Sequence, residues 1–476
     1  MYDIMAFQSN ANNAWIFNGN NGNLNYNNNR INTNAARVFR DSRREPGELD
    51  EPVIALPELY RCYYKNRRGK RRRNSQLEFE RDYPDHLRRM CYELNNFEYI
   101  IRKVMAFMLD YPQLREVIFA IFYDRVPQYW FCETLRPGVE KRLDPASYAC
   151  RIGRGPLAAA EQLARYIRET SRGGKVPTVI AKEDQKSFFL HINRETLVED
   201  LNEAIREDFA DDPRLRDLLL YLCRVLYLSD TISHAVRCCP VTEWEGLPKY
   251  KSRFNLPPMI GLDIGNQPSQ LGAAYKSRRY LRAFRDYGYT RLVHYSDDTV
   301  CVMEADRADQ FHRLFLPYLR QVEAAEGLEL NEKKHYCQDA RHGVCAFGFF
   351  IKLAPDGAVL MLPSKRIVHN LENKLRKWTE RAEGDLYFRL AMKERFCSSV
   401  NSYFSIFRHC NAYHLRKRFA RQILASCWSD VIMCAPDYTH IAVKTGWARK
   451  AHYIRKNRQF KHQILHYHDQ ATSTAD

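Results

Sequence analysis

The chain has 476 residues, and its 74 lysines and arginines outnumber its 57 aspartates and glutamates to give a formal charge of +17 at pH 7. The length and the hydrophobic fraction of 45% exclude a small disulfide-stabilised scaffold and a wholly disordered chain. They leave room for about three domains. The excess positive charge predicts a polyanionic partner, either a nucleic acid or an anionic membrane.

A membrane partner is disfavoured by the hydropathy of the sequence. No stretch approaches the ~18 consecutive apolar residues of a spanning helix, and no basic-then-apolar signal sequence opens the chain. We therefore expect a cytoplasmic protein with no membrane partner. The 14 cysteines form no Cys-x-x-Cys pair, and Cys223, Cys301 and Cys345 lie in apolar runs. This pattern predicts buried, reduced thiols rather than a zinc module.

Composition divides the first 110 residues into two segments. Residues 1–35 include an asparagine-rich stretch with few large apolar side chains, which predicts a flexible arm or a segment that orders on a partner. Residues 36–110 are basic and mainly helical, with helical spacing of apolar residues from about Leu77 to Leu109. The densest positive run predicts contacts with RNA phosphates, and a solvated basic loop is the alternative. Its candidate RNA-binding residues are Lys65, Arg67, Arg68, Lys70, Arg71, Arg72 and Arg73.

The middle of the chain has the pattern of a sheet domain with helices. A glycine-marked turn at 153–155 precedes an alanine-rich helical run at 157–167, and a second helical pattern covers 195–230. Short apolar runs alternate with helical stretches over 178–351, which indicates an α+β fold. Beyond Ser364 the sequence is helical and basic, with aromatic residues interleaved. Such a surface suits phosphate contacts along a duplex, and a helical bundle with one basic face is the alternative.

Three carboxylates are the candidate catalytic and metal-binding residues. Asp297 and Asp298 lie between two β-prone runs, which predicts a hairpin with adjacent carboxylates at its turn. Residues 179–184 are predicted to form a strand that ends in Asp184, which could stand beside the hairpin on a neighbouring strand. Converging carboxylates would bind a pair of Mg²⁺ ions, which prefer oxygen ligands. Two such ions can activate a 3′-hydroxyl and stabilise a pyrophosphate leaving group, so the chemistry indicated is nucleotidyl transfer.

Five motifs in order resemble the palm motifs of reverse transcriptases. They are Asp184 with Phe189 five positions later, IGNQPSQ at 264–270, YSDD at 295–298, LELNEKK at 328–334 and FGFFI at 347–351. Further passages are similar to the reverse transcriptases of bacterial diversity-generating retroelements, and related enzymes of antiphage defence systems share parts of the pattern. These passages are RRGKR at 67–71, REV at 115–117, DRV at 124–126, DPASYACRIGRG at 144–155, and Ser402, Tyr403, His409 and NAYHLR at 411–416.

The resemblance implies a right-hand polymerase of fingers, palm and thumb, with an antiparallel palm sheet and a helical thumb. The implied divisions are the arm at 1–35, the basic extension at 36–110, the fingers at 111–175, the palm at 176–360 with inserted finger helices at about 195–255, the thumb at 361–450 and a basic polar tail at 451–476.

The resemblance also implies roles for individual residues at a nucleotide site. Phe189 resembles the steric gate that crowds a ribose 2′-hydroxyl, and a core aromatic is the alternative. Arg151 and Arg154 could clamp the incoming triphosphate, or serve the structure or the RNA backbone. Lys334 matches a palm lysine that neutralises or protonates the leaving pyrophosphate, and a solvated surface lysine is the alternative. Gln270 could touch the nascent base pair or hold its own loop.

The sequence departs from the usual pattern at several positions. A charged Glu183 and a polar Gln185 flank Asp184 where apolar residues are usual. Asp263 stands where proline is common, and Ser296 replaces a more usual methionine or alanine. These changes leave the three carboxylates intact and bear on template use and fidelity.

We therefore expect an RNA-directed DNA polymerase that copies a bound, structured noncoding RNA into cDNA from dNTPs with two Mg²⁺ ions. The unusual first motif, the arm and the long tail favour a role in antiphage defence. Mutagenic copying in a diversity-generating retroelement is the alternative, because the asparagine-rich arm is similar to the segments that such elements diversify. A catalytically idle RNA-binding scaffold is the alternative from another class. An accessory protein and a homo-oligomer remain open as further partners.

Overall fold

The computed structural model describes residues 52–69, 73–109 and 114–444. The asparagine-rich arm, three residues of the basic run (Lys70, Arg71 and Arg72) and the tail at 451–476 lie outside the described residues. Predictions about these segments therefore stay predictions.

The described part of the basic extension contains three helices and the first strand of a β-hairpin, and the second strand and a long helix follow it. The elements are α1 (Leu56–Arg67), α2 (Asn74–Arg81), α3 (Tyr83–Asn95), β1 (Val104–Leu109), β2 (Arg115–Ala120) and α4 (Phe122–Arg142). The prediction of helices as far as Leu109 is wrong beyond Asn95, because Val104–Leu109 is a strand paired antiparallel with Arg115–Ala120. Five consecutive residues of this strand are buried. A short apolar run without alternation has no period that separates a buried strand from a buried helix.

Both helical runs predicted for the middle of the chain are confirmed, as is the hairpin around the paired aspartates. The elements are α5 (Pro156–Ser171), β3 (Thr178–Asp184), α6 (Phe188–His191), α7 (Arg194–Asp208), α8 (Pro213–Leu228), β4 (Val236–Arg237), α9 (Gln267–Asp286), β5 (Leu292–Tyr295), β6 (Asp298–Glu304), α10 (Ala308–Gln310), α11 (Leu316–Ala325) and β7 (Tyr336–Asp339). Short 3₁₀ segments cover Val241–Trp244, Lys249–Lys251, Arg253–Asn255 and Ala305–Arg307, and a π-helical turn, Phe311–Phe315, joins α10 to α11.

The last described part is helical, with two small sheets. Its elements are β8 (Val344–Ala346), β9 (Phe349–Leu353), β10 (Val359–Pro363), α12 (Lys365–Ala382), α13 (Leu386–Phe407), α14 (Tyr413–Leu424), a 3₁₀ turn at Cys427–Asp430, β11 (Ile432–Cys434) and β12 (Ile441–Val443). These helices enclose a core of their own, in which the Trp428 ring stacks on Phe396 with centroids 4.0 Å apart.

The central sheet has the strand order β5-β6-β3-β7, and all of its pairs are antiparallel. Alternating side chains of each strand supply cores on both faces, for example Val300 on one face and Cys301 on the other. Helix α5 covers the first face and helix α9 the second. The sheet is therefore fixed on both sides, and the ends of its strands are held in register.

The described residues form a mixed fold of helices and small, mainly antiparallel sheets, which is compatible with the predicted α+β class. The two-residue strand β4 is an exception, since it pairs in parallel with β1. Cys223 and Cys301 are buried as predicted, whereas Cys345 is exposed, so the prediction of burial is wrong for that thiol. Cys345 lies on a short strand whose central side chain turns to solvent. Within the described ranges, no helix combines the length and apolar character needed to cross a membrane.

Candidate active site

The three candidate carboxylates meet where strands β3 and β6 run side by side. Asp184 is the last residue of β3 and lies opposite Asp298, the first residue of β6. Asp298 also pairs with Tyr295 to close the β5–β6 hairpin, which leaves Ser296 and Asp297 at the turn. Ser296 has φ +60°, in the left-handed region that a two-residue hairpin turn requires. The predicted strand, hairpin and adjacency of the aspartates are therefore present.

The chain following β3 binds the hairpin turn directly. The backbone N–H of Gln185 donates to the carbonyl oxygen of Asp297 at 2.9 Å. This bond fixes the turn that carries Asp297 against the residue that follows Asp184, so the two carboxylates are placed by backbone rather than by flexible side chains.

Burial and mutual repulsion disfavour the ionised forms of Asp297 and Asp298. Asp184 is buried, and Asp298 exposes about a quarter of its side chain, 26%. Burial first, and then the charges of Asp298 and Asp184, raise the pKa of Asp297 to about 6. Burial also raises the pKa of Asp298, while nearby Lys182 opposes that rise. A cation near these groups would relieve the repulsion and favour their ionised forms.

Two residues of the LELNEKK motif, Asn331 and Lys334, bind the carboxylate of Asp184. The Lys334 ammonium lies 2.8 Å from Oδ2 and 3.0 Å from Oδ1 of Asp184, and Asn331 Nδ2 donates to the same Oδ1 at 3.0 Å. The backbone N–H of Asn331 donates to the Asp184 carbonyl at 2.8 Å. The Lys334 side chain remains 54% exposed, so its charge can be reached from solvent.

Lys182 forms a second ion pair with these carboxylates. Its Nζ lies 3.0 Å from Oδ1 of Asp298 and donates to the carbonyl oxygen of Cys345 at 3.0 Å. Lys182 precedes Asp184 by two residues, so both side chains leave the same face of β3. Each of Asp184 and Asp298 thus has a lysine of its own.

The polar residues that depart from the usual first motif have partners across the sheet. Both carboxylate oxygens of buried Glu183 lie 2.8 Å from Nδ1 of His335, and this contact raises the pKa of His335. Gln185 Nε2 donates to Glu323 Oε1 at 3.0 Å, and burial raises the pKa of Glu323 to about 8. Lys186 forms an ion pair with Glu329 at 3.0 Å. The departures Glu183 and Gln185 therefore have polar partners on the strand face opposite to the Asp184 side chain.

A small cleft at the hairpin turn collects two of the candidate nucleotide-binding residues. Phe189 and Gln270 line it together with Ser296 of the turn. Phe189 is half-buried and meets Phe188 edge to face, with ring centroids 5.8 Å apart. The remaining lining residues are Ser147, Ala149, Cys150, Phe188, Ala273, Ala274 and His294. Residues distant in sequence thus share one cleft beside the turn.

Arg151 and Arg154 are held in a loop that packs on the edge of β5. The loop is tied to the sheet by the N–H of Tyr148, which donates to the His294 carbonyl at 2.9 Å. Arg151 Nε donates to Glu140 at 2.6 Å, so its charge is already paired. Arg154 donates to the carbonyl of Pro145 at 2.5 Å. No carboxylate of the described residues forms an ion pair with Arg154, which makes it the better placed of the two for a phosphate.

The basic run of the extension lies apart from the carboxylates. Lys65 and Arg68 are exposed at the end of α1, and Arg67 forms an ion pair with Glu80 at 2.5 Å. Arg73 is half-buried, and burial lowers its pKa. No hydrogen bond or ion pair within the described segments joins this run to the three aspartates.

Sequence reasoning missed Lys182, His335 and Glu323 as parts of the site. The alternation of a strand could have indicated Lys182, because it shares a strand face with Asp184. Nothing local indicates that Glu323 meets Gln185, since the two are 138 residues apart. That contact depends on how helix α11 packs under the sheet.

The donor set suits a hard divalent cation, because three carboxylates supply oxygen ligands where the inner strand β3 ends and the inner strand β6 begins. As the side chains stand, no three His, Cys, Asp or Glu residues of the described part are grouped closely enough to hold a metal ion. Lys182 and Lys334 instead take one carboxylate each. A bound cation would therefore have to compete with two ammonium groups.

Comparison with known proteins identifies no family: no protein-family model matches the chain, and no curated protein matches it significantly.

Proposed function

We propose that the protein is an RNA-directed DNA polymerase that synthesises cDNA by two-metal nucleotidyl transfer within a right-hand polymerase fold. The observation that carries the proposal is the pairing of Asp184 with Asp298 across antiparallel strands, with Asp297 at the adjoining turn and Lys334 on Asp184. These residues come from three separate motifs of the sequence. Their order and chemistry suit transfer of a nucleotidyl group to a 3′-hydroxyl.

Mg²⁺ ions held by the three carboxylates would supply activation of the 3′-hydroxyl and neutralisation of the pyrophosphate. The chain's own residues contribute the rest. Lys334 keeps a solvent-accessible positive charge beside Asp184, from which it can donate a proton to the leaving group. Phe189 lines the cleft at the turn, where its ring would crowd a 2′-hydroxyl. Arg154 offers a guanidinium without a carboxylate partner in the described part for the triphosphate.

We propose a bound, structured noncoding RNA as the template, dNTPs as substrates and antiphage defence as the biological role. The alternative role is mutagenic copying in a diversity-generating retroelement. The genomic neighbourhood separates the two roles: a variable protein gene with a repeat pair would indicate diversification, and a noncoding RNA gene without them would indicate defence.

A catalytically idle RNA-binding scaffold is the second candidate, and one observation favours it. Asp184 and Asp298 each form an ion pair with a lysine, so a fold that binds no metal could keep both carboxylates with less repulsion between them. The exposed position of Lys334 favours the polymerase, as do the burial and the repulsion that raise the pKa of Asp297, because an idle fold needs no cluster of buried, mutually repelling carboxylates.

Copurification tests the proposal. The protein should be isolated from cells that carry its native locus, and the RNA and DNA bound to it should be sequenced. We expect DNA copied from one bound RNA, and we expect Asp297→Ala/Asp298→Ala to lose the DNA and keep the RNA. Asp306→Ala/Asp309→Ala removes two carboxylates just beyond β6 and should retain both. RNA without any DNA that depends on Asp297 and Asp298 would support the scaffold instead.

A further inference from the structure

The position of Lys182 makes it a fixed charge rather than a mobile surface lysine. Its side chain is only 12% exposed, and its ammonium is held both by Asp298 Oδ1 and by the Cys345 carbonyl, each at 3.0 Å. Removal of an ammonium from water is costly unless hydrogen-bonding partners replace the water. In the absence of a competing cation, these two acceptors therefore hold the Lys182 ammonium beside Asp298.

The same position puts Lys182 in competition with a divalent cation. A metal ligand must offer free oxygen lone pairs, and the Lys182 ammonium already occupies one of those on Oδ1 of Asp298. A divalent ion beside Asp298 would also be repelled by the positive charge of Lys182 across a few ångströms. The Cys345 carbonyl gives the ammonium a second acceptor, so Lys182 can release Asp298 without losing every partner.

We propose that Lys182 is an internal counter-ion of Asp298 that a divalent cation must displace, so that this lysine weakens cation binding at the three aspartates. This inference rests on the proposed function, because it takes the aspartates as the metal ligands. Lys182 is then a positioning residue that sets the concentration of Mg²⁺ at which the site fills.

Direct cation binding tests the inference without reference to polymerase activity. Mn²⁺ would be titrated into the full-length protein, free of nucleic acid, and the unbound ion followed by its electron paramagnetic resonance signal. We expect Lys182→Met to bind Mn²⁺ about three- to tenfold more tightly than the unaltered chain, since a single nearby charge is removed. Lys182→Arg keeps the charge and should bind equally or more weakly.

Lys186→Met is the matched control. It removes one lysine charge from the chain just after the same strand, but Lys186 is 42% exposed and forms its ion pair with Glu329 rather than with one of the three aspartates. Its affinity for Mn²⁺ should lie within about twofold of the unaltered chain, because exposed ion pairs contribute little. If Lys182→Met does not fold, as judged by circular dichroism, Lys182→Gln serves in its place with the same expected direction.

The outcomes separate failure of the inference from failure of the proposed function. Unchanged or weaker Mn²⁺ binding in Lys182→Met overturns the inference, as does tighter binding in Lys182→Arg. If Mn²⁺ binding is lost in Asp297→Asn/Asp298→Asn while Lys182→Met equals the unaltered chain, only the role of Lys182 is wrong. If the double aspartate variant leaves Mn²⁺ binding unchanged, the metal site of the proposed function is wrong as well.

Discussion

At the scale of single residues, the two lysines that pair with the aspartates differ in their exposure to solvent. The Lys334 side chain that pairs with Asp184 is about half exposed, whereas the Lys182 side chain that pairs with Asp298 is largely buried. An exposed ammonium can meet a substrate at little cost, and a buried one cannot leave its partners as easily. The two lysines therefore have different expected roles although each neutralises one aspartate.

Lys334→Met should reduce the rate of nucleotide addition and leave RNA binding intact. Loss of a general acid typically lowers the rate by about 10² to 10⁴. Single-turnover primer extension on an RNA template measures the chemical step. Lys333→Met is the control, because Lys333 is an exposed neighbour on the same segment, and it should extend the primer normally. Equal rates for both variants would show that Lys334 is a solvated surface lysine without a role in the chemical step.

Phe189→Val should relax discrimination against ribonucleotides. Phe189 is half-buried and lines the cleft at the hairpin turn, so a smaller side chain would leave room for a 2′-hydroxyl. The ratio of kcat/KM for dNTP and rNTP should fall in this variant while its thermal stability changes little. Phe188→Val should mainly lower the thermal stability, because Phe188, although it also lines the cleft, is buried in the core and loses packing. A stability loss without any change in sugar preference would make Phe189 a core aromatic.

At the scale of elements, the parts of the fold that carry periodic or motif signals were predictable and the contacts between them were not. The β5–β6 hairpin follows from β-prone runs on either side of a polar turn, and β3 from an apolar run that ends in Asp184. The strand Val104–Leu109 was missed because its uninterrupted apolar run suits a helix equally well. The contact of Gln185 with Glu323 was beyond prediction, since it arises only when helix α11 packs under the sheet.

The buried contact between Gln185 and Glu323 predicts that the stability of the fold depends on pH. Burial raises the folded-state pKa of Glu323 from 4.5 to about 8, with Glu183, Glu332, Arg320 and Gln185 as the polar groups around it. A raised folded-state pKa means that the stabilisation is complete below about pH 4.5 and is lost as the pH rises towards 8. The wild-type melting temperature should therefore fall between about pH 4.5 and about pH 8, by an amount that reflects up to a few kcal/mol.

Glu323→Gln should remove most of this fall. Glu323 Oε2 and Gln185 Oε1 are buried and have no hydrogen-bond partner among the described residues, and a proton on Oε2 would supply the missing donor. The amide that the substitution introduces carries such a donor at every pH, so the variant should match the wild type at about pH 4.5 and exceed it at about pH 8 and above. Glu332→Gln changes an exposed glutamate of the same neighbourhood and should keep the wild-type pH dependence. Parallel curves for the wild type and Glu323→Gln would exclude a neutral Glu323.

At the scale of the whole molecule, the candidate site lies where separate regions of the chain meet. The loop before α5 adds to the edge of β5, and the hairpin β1–β2 binds the IGNQPSQ motif through the N–H of Ile118, which donates to the Ile264 carbonyl at 2.9 Å. The basic extension packs its helices into the same core as α7 and α8. A nucleic acid held by the extension would therefore be attached to a body that is continuous with the site.

Because the extension shares a core with the rest of the site, we expect the exposed charges at the end of α1 to contribute to RNA binding, mainly through contacts with phosphates. Lys65→Ala/Arg68→Ala should lower the affinity for unrelated RNAs equally and reduce the slope of log K against log salt by about two. Filter binding between low and high salt measures that slope. Arg282→Ala/Arg313→Ala also removes two charges, but those arginines are highly exposed and have carboxylate partners on the same helical turns, so the slope should stay unchanged. An equal loss of slope in both double variants would assign RNA binding to the overall charge of +17 rather than to the extension.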